Sequence, residues 1–353
     1  MKLAYLSDVD ESTIHDLKFL EEFSKHYEVY VISFSRRKVI WKNNVWHIPS
    51  GRISFYLRWK EMRKILDGIS PDVVFANYIT KYPILYFMSC AKYPLISVGW
   101  GSDIIYQASF PPFSFLVKKV CEKSCCIIVD SEYCKKLLKK FGCSDKTEVI
   151  PFGVDTEKFK PGKYRDEIRK KEGLEDKTVV ISLRNHYKLY NIETILKAAR
   201  YFDENVFLLI AGKGPRTKKL RKIVEKYSLK NVRFLGFLNR DDVAKYLDAA
   251  DIFISVPFWD STSVSLLEAM ASGCIPILSD IPANREWVEN GKNGYIVGVK
   301  DYRKIAEVVN KIHLNPEVMK EMIIINREIV EKKADRKKNI FRIMEIIERC
   351  SKR

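Results

Sequence analysis

Apolar runs of four to six residues recur along the chain, each followed by a longer segment in which apolar residues return every third or fourth position. In the first half the runs are Lys2 to Ser7, Val29 to Phe34, Val73 to Ala76, Leu95 to Val98 and Ile127 to Asp130. In the second half they are Val179 to Leu183, Val206 to Ala211, Val232 to Leu235, Ile252 to Val256 and Ile275 to Leu278. Short unbroken apolar runs mark strands covered on both faces, and the amphipathic segments between them mark crossover helices. The pattern predicts an α/β protein with two open, parallel sheets.

A chain of 353 residues exceeds a comfortable single core, so two domains of roughly 150 to 180 residues are expected. The division falls in Val149 to Pro161, where a strand runs into Pro151 and a glycine before an exposed charged stretch. The expected units are residues 1–152, 153–334 and a terminal basic amphipathic helix over Asp335 to Lys352. No short-period repeat is visible.

No run of eighteen apolar residues occurs, so no spanning helix is expected; the start, MKLAYLSDVD, reads as a core strand rather than a signal peptide. Eight cysteines and five histidines show no zinc spacing. They read as reduced thiols of a cytoplasmic protein, with no metal site. The net charge of +17 calls for an anionic partner. No nucleic-acid motif accompanies it and the basic residues are spread along the whole chain, so nucleic acid is not expected. Arg52, Arg58, Lys60, Arg63 and Lys64 interleave with Phe55, Tyr56, Trp59 and Met62, a pattern that suits an anionic membrane surface. The competing reading packs Ile53, Leu57, Ile65 and Leu66 against a sheet.

The most chemical stretch is Ile254 to Ser279, ISVPFWDSTSVSLLEAMASGCIPILS. It predicts a strand ending near Pro257, a hydroxyl-rich loop, a helix over about Ser265 to Ala271 closed by Gly273 as a left-handed cap, and a second strand. Such a unit aims free N–H groups and a positive dipole end above the sheet, where anions bind. Asp260 and Glu268 stand eight positions apart, and a helical carboxylate such as Glu268 can accept hydrogen bonds from vicinal hydroxyls.

These residues resemble the retaining, nucleotide-sugar-dependent glycosyltransferases of the GT-B fold, specifically family four, whose acidic pair is followed by a signature like the EAMASGCIP of Glu268 to Pro276. The family's first acid is usually Glu followed by Gly-Phe-Gly; here it is Asp260 followed by Ser-Thr-Ser. VIPFGVDTEKFKP also resembles the family's connector between its two Rossmann-like domains. The resemblance implies two such domains with parallel sheets facing a central cleft, an N-terminal acceptor domain, a C-terminal donor domain, and a last helix that crosses back to the first.

By the same resemblance Arg184 binds the donor diphosphate. The family has a lysine six residues later, where this chain has Tyr190, so Lys188 or Lys213 is left to supply the second charge. Gly212 and Gly214 of AGKGP make a tight turn or let backbone approach the ligand. The backbone around Gly236 and Phe237 meets the base. Val98 to Ile104, VGWGSDI, is similar to the family's HGxD turn, with Asp103 kept and Trp100 in place of the histidine. Trp100 is read either as a stacking platform at the donor sugar or as a core residue. The loop after the first strand, Ser7 to Asp10, lacks the family's glycines; His15 and Asp16 open the helix that follows, and this loop is expected to face the acceptor.

The implied reaction is retaining transfer of a sugar, a hexosyltransferase activity of class EC 2.4, from a UDP- or GDP-sugar to a hydroxyl of a glycan or lipid-linked acceptor. No cofactor or metal is required: Arg184, a lysine and the helix start at Thr262, Ser263, Val264 and Ser265 neutralise the leaving diphosphate. Glu268 holds the ribose, and Asp260 contacts the sugar or its anomeric carbon. A cytoplasmic, peripherally membrane-bound enzyme follows. The alternative is a non-catalytic sugar-nucleotide or polyanion binder on the same scaffold.

Overall fold

The computed structural model describes residues 1–10, 14–51 and 54–352. Arg52 and Ile53 lie outside the described residues, as does the side chain of His15. The chain divides into two compact units, Met1–Phe152 together with Lys337–Arg353, and Gly153–Arg336.

The first unit runs β1 (Lys2–Leu6), α1 (Ile14–Phe23), β2 (Glu28–Ser33), β3 (Val45–His47), α2 (Trp59–Ile69), β4 (Val73–Asn77), α3 (Tyr82–Met88), β5 (Leu95–Gly99), α4 (Phe113–Lys123), β6 (Cys126–Val129), α5 (Glu132–Leu138) and β7 (Thr147–Val149). Its seven strands are all parallel in the order β3-β2-β1-β4-β5-β6-β7. The second unit runs α6 (Arg165–Glu172), β8 (Thr178–Ser182), α7 (Ile192–Ala198), β9 (Val206–Ala211), α8 (Thr217–Lys226), β10 (Val232–Gly236), α9 (Arg240–Ala249), β11 (Ile252–Ser255), α10 (Val264–Ala271), β12 (Ile275–Ser279), β13 (Tyr295–Val297), α11 (Tyr302–Leu314) and α12 (Glu317–Lys333). Its parallel order is β10-β9-β8-β11-β12-β13. In each sheet the order reverses beside the first strand of the unit, and ligands of such sheets bind beyond the carboxyl ends there.

The ten strands read from apolar runs all form, within a residue or two at their ends. The strand expected to run into Pro151 is β7, and only β3 and β13 among the described strands had no counterpart in the sequence reading. Each is a three-residue edge strand, too short to carry a period. The last helix, α13 (Arg336–Ser351), buries Ile340, Ile343 and Ile347 among Tyr5, Phe23 and Phe75 of the first unit. The second unit extends two residues past the expected boundary at 334. Val154 bridges to Asp335, and the N–H of Arg336 donates to the Val154 carbonyl at 3.0 Å.

The basic, aromatic segment before β4 splits between its two readings. Phe55, Met62, Leu66 and Ile69 are core residues, whereas Leu57 and Trp59 are exposed, and Ile65 is half-buried against the same core. Among the described residues no helix is long and apolar enough to cross a membrane.

The loop after β1 is organised around carboxylates. The buried Asp16 accepts from the Tyr5 hydroxyl at 2.8 Å and the Ser7 hydroxyl at 2.5 Å. Burial nonetheless pushes its carboxyl up to about 6. A folded value above the unfolded one means that the native state keeps a proton the unfolded chain has already released. The associated stability is complete below about pH 4 and is lost as pH rises through 6, about 3 kcal/mol for this carboxyl. Urea midpoints at pH 4.5 and 7.5 are therefore expected to differ less in Asp16→Asn than in the parent. Equal pH slopes in the two proteins would remove this account.

Candidate functional site

β11 delivers the chain to Pro257, and the following loop turns it into α10 at the carboxyl end of the second sheet. Gly273, with φ of +87°, closes the helix in the left-handed region, where a side chain would be strained. Ser263 sits at the N-cap, yet no side chain caps the first turn. Its hydroxyl accepts instead from Arg184 Nη1 at 2.5 Å, and Ser265 Oγ lies 3.3 Å from the same nitrogen. Arg184 Nη2 donates to Asp260 Oδ2 at 2.5 Å. One guanidinium, only 8% exposed, thus ties the loop after β8 to the start of α10.

Tyr190, which stands where the resemblance calls for lysine, lies against this arginine, with Arg184 Cζ 4.2 Å from its ring centroid. A planar cation on an aromatic face is an attractive contact. It holds the fork at a fixed tilt. Lys188 and Lys213, the two candidate replacements, are both exposed. Lys213 Nζ sits 5.0 Å from the ring centroid of Phe237, itself 65% exposed, and Lys188 lines a small hollow with Tyr187, Arg216 and Phe258.

The glycine turn has a specific packing reason. A Cβ at Gly212 would come within 2.7 Å of the Arg184 carbonyl, and one at Gly214 within 2.8 Å of the His186 carbonyl. Gly212 N also donates to the Gly236 carbonyl at 2.6 Å. The two glycines therefore let the 212–214 turn press on the backbone that carries Arg184, and they link that backbone to Gly236 and Phe237.

Glu268 is buried one helical turn beyond Ser265 and accepts from Arg240 Nη2 at 2.6 Å. Burial raises its carboxyl above the usual range, against the pull of Arg240 and Arg336. Neither arginine stood out in the sequence. Arg240 lies in the first turn of α9, 28 positions from its partner, and only the packing of α9 against α10 brings them together. The Thr262 hydroxyl accepts from Trp287 Nε1 at 3.2 Å, a contact that anchors the loop from beneath.

In the first unit, Asp103 is buried, and its oxygens accept from the backbone N–H groups of Ile79, Trp100 and Ile104 at 2.8, 3.1 and 3.2 Å. Burial pushes its carboxyl up to about 6. It pins the turn after β5. Trp100 stacks on Phe152 at a centroid distance of 3.5 Å, lies beside Phe19, and donates through Nε1 to Asn77 Oδ1 at 2.9 Å. These contacts favour the core reading of this tryptophan over a free platform. Asp8 holds Lys81, and Asp10 accepts from Ser35 Oγ at 2.8 Å.

Comparisons with known proteins bear on this arrangement. Residues 164–329 match the family model described as glycosyl transferases group 1, and residues 2–131 match the one described as glycosyl transferase 4-like. EpsD of Bacillus subtilis, named as a glycosyltransferase, is 22% identical over 84% of this chain and 82% of its own length. An Escherichia coli UDP-Gal:alpha-D-GlcNAc-diphosphoundecaprenol alpha-1,3-galactosyltransferase is 29% identical over 49% of this chain and 46% of its own length. Among solved structures, Anabaena HepE in complex with UDP superimposes with a TM-score of 0.86 at 17% identity, covering 99% of this chain and 100% of that one. Sucrose-phosphate synthase of Thermosynechococcus elongatus gives 0.83 at 17%, covering 99% of this chain and 98% of that one. The solved structures establish a likeness of fold.

Proposed function

We propose, on the premise that the chain belongs to the GT-B glycosyltransferases of the group 1, GT4 type, that it transfers a sugar from a nucleoside diphosphate donor to a hydroxyl acceptor with retention at the anomeric carbon and without a required metal. The observation that carries the reading is the placement of Arg184 at the first turn of α10 by Asp260, Ser263 and Ser265, with Glu268 on the next turn.

In this reading the donor diphosphate lies over the uncapped start of α10. As the glycosidic bond breaks, negative charge accumulates on the leaving diphosphate. Arg184, already oriented, meets it as a planar fork, and the free first-turn N–H groups at Val264 and Ser265 add fixed dipoles. Lys213, on the turn pressed against Arg184, is the better placed of the two lysines to add a second charge, and Phe237 beside it offers an apolar face to the base. Glu268 accepts from the ribose hydroxyls beside its hydrogen bond from Arg240. Asp260 faces the sugar, and the leaving phosphate takes the acceptor proton, so no separate nucleophile is invoked.

Glu268→Ala is expected to raise the dissociation constant of the donor on the order of tenfold or more, the effect of losing charged hydrogen bonds. Asp260→Asn is expected to lower turnover more than binding. Parent-like values for both variants would dispose of these roles. A non-catalytic binder is the second reading, favoured by the tyrosine stacked on Arg184 in the lysine's place and by the packed Trp100. Release of nucleoside diphosphate from a panel of UDP- and GDP-sugars decides between them. Binding without release selects the binder.

The acceptor proposed is glycan or lipid-linked, because a relative is named for a diphosphoundecaprenol substrate and others for phosphatidylinositol mannosides. The charge of +17 and the exposed Leu57 and Trp59 beside Lys60 support peripheral binding to an anionic membrane at the cytoplasmic face. Sedimentation with anionic liposomes is expected at low salt and lost at high salt; failure to sediment at low salt removes this part.

A further inference from the structure

The first unit contains a cavity of about 650 Å³ beyond the carboxyl ends of β2, β4 and β5. One wall is a run of aromatic rings. Phe34 meets Phe55 edge-on at 6.0 Å, Phe55 meets Tyr56 at 5.1 Å, and Tyr56 meets Phe113 at 6.1 Å. Arg36, Lys81 and Gln107 also line it, with Lys81 Nζ 5.2 Å from the Phe55 ring centroid.

The two cations differ in their state. Lys81 Nζ contacts both oxygens of Asp8, at 2.6 and 2.5 Å, and its charge is already matched. Arg36 is exposed and has no carboxylate partner among the described residues. Its guanidinium folds across Gly51 so closely that a Cβ there would lie 2.7 Å from Nη2. A side chain at Gly51 would displace the end of this guanidinium from where it now lies. Gln107 uses Oε1 to accept from Thr80 Oγ1 at 2.6 Å, which leaves its amide N–H groups available. Ser50 donates to the Phe34 carbonyl at 2.8 Å and keeps lone pairs to accept a ligand hydroxyl.

An aromatic wall suits the C–H face of a sugar ring, amide and hydroxyl groups suit its hydroxyls, and an unmatched guanidinium suits a carboxylate or phosphate. A neutral apolar ligand would leave Arg36 and Gln107 unused. We infer that this cavity binds an anionic pyranose, with the ring on the Tyr56 and Phe113 wall and the uronate or phosphate group on Arg36. The assignment rests on the transferase reading only in naming the bound sugar as the acceptor.

Titration of the full chain with D-glucuronate, glucose 6-phosphate, glucose and inorganic phosphate, followed by ligand-observed NMR, tests this. At least one anionic sugar is expected to bind ten times or more tightly than both glucose and inorganic phosphate, and Arg36→Ala is expected to abolish the advantage over glucose. Arg36→Lys should retain part of it. Glucose binding as well as both anions, preference unchanged in Arg36→Ala, inorganic phosphate binding as well as the sugars, or no sugar binding at all would each overturn the inference. UDP and GDP binding is measured on the same samples. Nucleotide binding with no anionic sugar bound sinks this inference alone, whereas sugar binding with no nucleotide bound supports it and counts against the transferase reading.

Discussion

Replacing Arg184 by lysine is expected to lower kcat/KM for the nucleotide-sugar about 100- to 1000-fold, the range seen when one fixed donor to a developing charge is lost. The reason is geometric. Arg184 spans Asp260 on one nitrogen and the two serines at the start of α10 on the other, while its face rests on Tyr190. Lysine keeps the charge but cannot bridge two partners with a planar fork, and it loses the stacking contact. Its ammonium would settle on Asp260, leaving Ser263 and Ser265 without a cation and the diphosphate without an aligned partner. Steady-state kinetics with the donor that the parent enzyme turns over checks this, alongside a melting curve to show that the variant is folded. A loss of less than tenfold in a folded variant would mean that the diphosphate is neutralised elsewhere.

The largest stability effect is expected at a residue remote from α10. Asp251, at the start of β11, accepts from Arg169 Nη2 at 2.6 Å and from Val179 N at 2.8 Å, and pairs with Arg165 through its other oxygen. Arg169 is buried and is otherwise held by the carbonyls of Ala249 and Lys177. Asp251→Ala leaves a buried guanidinium without a counter-charge and orphans a strand N–H, at a cost of about 3 to 5 kcal/mol. Calorimetry is expected to show a lowered transition for the second unit. Asp251→Asn should lose less, since an amide oxygen still accepts one of the bonds. If the alanine variant melts within a degree or two of the parent, the network is not what secures α6 to the sheet.

How legible each feature was follows from the range over which it acts. α10 was readable almost to the residue, because an apolar run, a hydroxyl-rich loop and Gly273 lie within one short segment. β3 and β13 were not, because three residues at a sheet edge leave no pattern in the chain. Asp260, Ser263 and Ser265 stand out in the sequence as residues of an expected anion site. That they meet Arg184 depends on β8 and β11 being neighbours, 76 to 81 positions apart in sequence. Tyr190 reads from sequence as a departure from the family's lysine, and the fold shows it supporting the arginine beside it. The segment carrying Trp59 could not be resolved by composition alone. Its apolar positions divide between the core and solvent, since the 3₁₀ turn at Tyr56–Arg58 precedes the helix and shifts the register of the face.

From the sequence alone came two parallel α/β units and their division near Gly153, because strand period, helix period and turn chemistry are written in adjacent residues; Arg184 and the two lysines were picked out by the family resemblance. The tertiary structure decided which charges meet: Arg240 with Glu268 and Arg184 with Asp260, while Arg36, beside an aromatic wall, has no carboxylate partner among the described residues. Ion pairs and cavities are formed by residues that are distant in the chain and brought together by sheet order, and a linear pattern holds no record of that order.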